Sequence, residues 1–320
     1  MGKFLPQPAD LVPMLTGVGL AALLLIAGFY LQRRKLGQWA VLAYALSFPT
    51  AYLLTFINLN DAPGYPPLDS TDRGFYVVIL FSALAALMGS LDRYWEAKPL
   101  SGRIVRAALY FLASCTAVRF LLKNFFELDA EAEFFISFGE WMKVAGVITA
   151  TGLLVDEITR RRAAYEVAVV AAVMMGALGQ ALVMKGAAPY LGQFLGAGAI
   201  TLGIAALLTR IGQLRHLPMT IAPLIVGFIT ATGLDAMYYA LETPSQMSML
   251  LLLAAPALML LAGLPGLGTL RLRWVKIGIA TLPALGMIIF AFFLAIEEPE
   301  VVKKDIDSTP NPYEDLDFLK

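Results

Sequence analysis

The side chains able to carry chemistry are few, and they fall in short stretches. In AVRFLLKNFFELDAEAEFFISFGEWMK, residues 117–143, Arg119, Lys123, Glu140 and Lys143 sit at or inside the edges of two runs oily enough to lie in lipid. A charge at the centre of a bilayer costs from about 2.5 kcal/mol upward, so each of these groups is expected to be paired or reached by water. Cys115, Arg119 and Lys123 are four apart and share one helical face. Farther on, TATGLDAMYYALE sets Asp235, Tyr238, Tyr239 and Glu242 at helical spacing, and Gln180 and Gln193 stand little more than one turn from the ends of their apolar runs. Such groups can hold a polar or charged solute, pass an ion, or tie helices together through ion pairs and amide hydrogen bonds. The candidate pathway residues are therefore Arg119, Glu140, Lys143, Gln180, Gln193, Asp235 and Tyr238.

Much chemistry is excluded by scarcity. The chain has one cysteine, Cys115, and one histidine, His216. It can form no internal disulfide, and it lacks the ligands for a Cys/His metal site or for haem held by two histidines. No catalytic residue, metal or cofactor is expected. The short GLPGLGTLR follows an apolar helix instead of a strand and lacks the third glycine of a dinucleotide loop. Formal net charge is zero, which implies no nucleic-acid partner.

The elements that must position these residues are membrane helices. The 320 residues are 59% hydrophobic and 15% charged, against about 25% charged in soluble domains. The apolar residues come in long blocks, and a crossing needs roughly 20 of them. Ten candidates lie near 10–31, 38–58, 74–91, 104–123, 135–155, 164–184, 188–209, 218–240, 246–263 and 274–295. The first is expected to be a span and not a cleaved signal, because most of its positive charge follows the apolar run. The fold class expected is an all-α, polytopic helix bundle over 1–296, with two inverted five-helix halves as one arrangement of ten spans. Residues 297–320 read as an acidic, disordered tail.

Loop charge orients the bundle. Arg33, Arg34, Lys35, Arg93, Lys98, Arg103, Arg106, Arg160, Arg161, Arg162, Arg210, Arg215, Arg271, Arg273 and Lys276 follow odd-numbered spans. Little more than Arg73 and Lys185 follows even-numbered ones. Positive loops stay cytoplasmic, so an inner-membrane protein with both termini extracytoplasmic is expected. The polar candidates then lie in the outer half of the membrane, with the inner half nearly bare. Arg119 and Glu140, at matching depth on consecutive helices, form the natural ion pair.

Three functions fit this pattern. A small-solute secondary transporter would use a polar cavity open to the outside. A non-catalytic subunit or anchor of a larger complex would use the proline-rich 58–73 loop and the tail to dock a protein partner. A membrane enzyme would use Asp235 or Glu140 as acid and base, with Arg119 on an anionic headgroup. Nothing in the spacing demands the third.

Overall fold

The structure, a computed structural model, describes residues 8–59, 63–67, 70–91, 99–122, 138–161, 164–184, 189–212, 217–239, 282–291 and 293. Among these residues all regular structure is α-helical. In chain order the helices are α1 (Pro8–Arg33), α2 (Gly37–Leu59), α3 (Ser70–Ser90), α4 (Pro99–Leu121), α5 (Phe138–Arg161), α6 (Ala164–Met184), α7 (Pro189–Ile211), α8 (Leu217–Tyr239) and α9 (Leu282–Ala291). The first eight match the first eight expected spans, and α9 falls within the tenth. The ninth span and the tail lie outside the described residues.

Among the described residues five helical stretches are long and apolar enough to cross a membrane: Met14–Arg33, Gly37–Leu59, Ser70–Ser90, Leu100–Leu121 and Tyr190–Ile211. Shorter apolar stretches occur at Tyr165–Gln180, Thr220–Asp235 and Leu282–Ala291. Helix ends run past the apolar runs because polar residues support them. α3 starts at Ser70, where Asp72 meets the positive end of the helix dipole. α5 continues to Arg161 because Asp156 and Arg160 bond one turn apart. Pro49 and Pro223 lie inside α2 and α8, where each removes a backbone hydrogen bond.

Contacts between helices fix their directions. Gly17 of α1 packs on Ala51 and Thr55 of α2, and Gly28 packs on Tyr44, so these helices are antiparallel. Gly74 and Gly89 of α3 meet Tyr52 and Val41 of α2 in reverse order. Tyr110 of α4 packs on Gly152 of α5, and Arg106 lies beside Asp156. Gly179 of α6 meets Gly192 of α7, and Arg210 of α7 lies over the ring of Tyr165 of α6. Met14 and Phe29 of α1 pack on Gly196 of α7 and on Gly212 just past its end, in the same order, so α1 and α7 run parallel. Between membrane helices lipid competes equally for apolar surface, and close approach of small residues supplies the attraction.

The result is an up-and-down bundle with two unlike ends. One end gathers Arg33, Arg34, Arg103, Arg106, Arg160 and Arg210. Arg33, Arg34 and Arg210 there cover the rings of Phe29, Tyr30 and Tyr165. The far end holds Arg73, Arg119 and Lys143. α8 is the core helix. Every residue from Thr220 to Asp235 is buried, and the helix packs against α2, α3, α4, α5, α6 and α7. A helix that is apolar on every side suits such a place.

Candidate functional site

At the far end, the first turn of α3 lies against the last turns of α8. Arg73 is 5% exposed, Asp72 8% and Asp235 2%. Thr71 Oγ1 donates to Asp235 Oδ2 at 3.5 Å, which ties the two helix ends together. Gly74 follows Arg73 because three helices meet there: a Cβ would stand 2.7 Å from the Tyr52 hydroxyl of α2 and 3.8 Å from Ala231 Cβ of α8. The 63–67 loop lies on this cluster. Asp72 Oδ2 is 3.0 Å from the point a Gly64 Cβ would occupy, and Tyr76 donates its hydroxyl to the Gly64 carbonyl at 3.1 Å.

Tyr52 links the charges to a wall of rings. It stacks on Phe194 of α7 with centroids 4.4 Å apart and meets Phe228 of α8 edge-on at 5.5 Å. Phe75 and Phe56 stack on it at 6.3 and 6.5 Å. Among the described residues, two carboxylates and one guanidinium lie buried close to five rings, a water-poor setting in which charge acts strongly. The carboxylates can hold a cationic group, and the ring faces can flank it.

Of the residues expected from the sequence, Asp235 alone enters this cluster through a described side-chain contact. Gln193 is half-buried on α7, on the same face as Gly196, which faces Met14 of α1, and its amide oxygen is buried with no hydrogen-bond partner among the described residues. Gln180 is half-buried on α6. Arg119 and Lys143 are exposed on α4 and α5. Glu140 and Tyr238 belong to α5 and α8, but their side chains lie outside the described residues. The Arg106–Asp156 and Tyr110–Gly152 contacts align α4 with α5 so that Arg119 is level with Lys143, with Glu140 about one turn nearer the far end.

Two expectations need correction. Arg73 and Arg106 read as loop charges in the sequence, yet both are helical and buried. The basic end is also not bare. Asp156 Oδ2 accepts from Arg160 Nε at 3.0 Å and lies 3.6 Å from Arg106 Nη1, with Tyr110 and Thr159 buried beside it. Buried charge is tolerated at both ends because acids and bases lie together. The signal present in the sequence is spacing: Arg106 with Tyr110, and Asp156 with Arg160, each four apart.

No known protein family, curated protein or solved structure matches this chain. Among the described residues no group of three or more His, Cys, Asp or Glu side chains could hold a metal ion.

Proposed function

We propose that the chain is a small-solute secondary transporter of the inner membrane. Its ten spans form two inverted five-helix halves, both termini are extracytoplasmic, and the solute site occupies the outer half of the membrane. The far end faces outward on the loop-charge argument, because arginines of the described loops and helix ends crowd the opposite end. The observation that carries the reading is the buried Asp72, Arg73 and Asp235 set beside Tyr52 and Phe194. Charge is expensive at such a place, which makes the cluster a candidate functional site. Acid and base side by side against a ring wall suit a small zwitterion or organic cation as the solute.

Supporting the two halves, α1–α2 and α6–α7 are both tight hairpins closed by glycines, Gly17 and Gly28 in one and Gly179 and Gly192 in the other. The third helix of each half, α3 or α8, packs on its counterpart through Phe81 and Gly227. In inverted-repeat transporters the site lies where such halves meet.

The test is a panel of amines and zwitterions applied to reconstituted protein, read as transport current and as a shift in Tm. A transported solute should lose both signals in Asp235→Asn. A second reading is a membrane subunit. Tyr65 is 90% exposed on a loop held by Tyr76, which suits it to docking a partner. If no solute gives a signal and the protein purifies with a stoichiometric partner that Tyr65→Ala releases, the subunit reading holds.

A further inference from the structure

A polar stripe runs inward along α4 from the basic end. Arg106, Tyr110 and Ser114 are four apart and therefore stack on one face. Arg106 is 6% exposed, and Tyr110 and Ser114 are 0% exposed. Arg106 Nη1, the Tyr110 hydroxyl and the Ser114 hydroxyl have no hydrogen-bond partner among the described residues. This sets Ser114 apart from other buried helix hydroxyls. Thr55, Ser82, Thr159, Thr201 and Thr232 all donate to a carbonyl one turn back on their own helix.

Across from the stripe, α5 presents Gly152 and Asp156. The Tyr110 ring fills the space that a side chain at 152 would take, with Cδ1 2.6 Å from the ideal Cβ position. Asp156 holds Arg106 and Arg160 together over the mouth of the stripe, and Arg160 Nη2 is a further buried donor with no acceptor among the described residues. Arg106 and Arg160 thus converge on Asp156, and the hydroxyls of Tyr110 and Ser114 continue the line of buried donors one and two turns farther along α4. In a hydrocarbon setting a buried hydroxyl left unsatisfied costs several kcal/mol, and water bridging in from the nearest surface removes that cost. The stripe ends in mid-bundle. The Tyr76–Phe120 contact places Ser114 level with Ser82 of α3, where buried Phe81 packs on Gly227 of α8.

We propose that Arg106, Tyr110 and Ser114 line a water path from the basic end to the middle of the bundle, latched at its mouth by Asp156 through Arg106 and Arg160. If the chain transports, this is the inner half of its alternating-access route. The path itself is inferred without reference to transport, and its test needs no substrate.

Cys115 is the only cysteine in the chain, so Cys115→Ala gives a clean background. In that background, Ser114→Cys should react with a small cationic methanethiosulfonate from the basic-end side alone. Ser90→Cys, exposed at that end, identifies the side in sealed vesicles. Adding Asp156→Asn should raise the rate about tenfold, as expected when a latch loses one order of magnitude in its closed-to-open ratio. Asp156→Glu keeps the charge and should leave the rate near that of the parent. If Asp156→Asn does not fold, Gly152→Ala tests the path in the other direction: its methyl drives the Tyr110 ring into the path, and labelling should slow. Tyr110→Phe should give no rise in Tm if water satisfies the hydroxyl. Ser114→Cys that is inert from both sides, or indifferent to both Asp156→Asn and Gly152→Ala, would overturn the proposal. So would a rise of several degrees in Tm for Tyr110→Phe, the mark of a dry, unpaired hydroxyl.

Discussion

Asp156 is the acceptor on which two guanidinium groups of different helices converge, at 3.0 and 3.6 Å. Removing it takes from both arginines the carboxylate they share. Asp156→Ala should therefore cost about 3 kcal/mol of stability, the scale of breaking a buried ion pair. Arg106→Ala in the Asp156→Ala background should add little, because the partner is already gone. Thermal melts of the two single variants and the double variant give the coupling, and additive losses would show that the pair is not energetically linked. The same cycle on Arg119 and Glu140 should give a smaller coupling, since Arg119 is exposed and exposed pairs contribute little. At this scale the sequence was legible where charge stood inside an apolar run, as at Asp235. It was misleading where charge stood at the edge of one. Hydropathy averages over a run and cannot tell a loop arginine from Arg73 or Arg106, which fold back into helix ends and are buried by neighbours distant in sequence.

Glycines set how closely the helices approach, and they do so unequally. A Cβ on Gly227 of α8 would collide with Phe81 of α3, whereas one on Gly203 of α7 would meet nothing within 4 Å. Gly227→Ala should cost about 1–3 kcal/mol through overpacking at the central contact. Gly203→Ala should be neutral or stabilising by up to about 1 kcal/mol, since alanine is the better helix former. Denaturation of both variants in one detergent checks the contrast, and equal effects would argue against α8 as the core. Eight helices were placed by apolar run length alone, because a membrane helix must be long and oily whatever it touches. Which helix lies at the centre was not legible. α8 is no more apolar than its neighbours by eye, and its burial on all sides depends on α3 and α7 approaching through glycine contacts that no single run reveals.

For the whole molecule, the crowding of arginine at one end predicts sidedness. Cysteines replacing Tyr65 and Ser90, both exposed and at opposite ends, should label from opposite sides of the membrane in a Cys115→Ala background, with Ser90 on the cytoplasmic side. Labelling from one side would break the alternation. Deleting residues 300–320 should leave the melting of the bundle unchanged, because that acidic segment has too little apolar content to form core. A large drop in Tm would show that it packs. The central position of α8 also has a consequence in time. Chains emerge from the ribosome N-terminus first, at about 5–20 residues per second. The helix that six others pack against is thus among the last of the described helices to enter the membrane. Until it does, α3 and α7 have only lipid against the faces that will hold it, and the parallel contact of α1 with α7 waits nearly as long. Nascent chains stalled before residue 217 should insert fully yet remain open to protease at their connecting segments. Protection should arrive in one step once α8 has left the translocon.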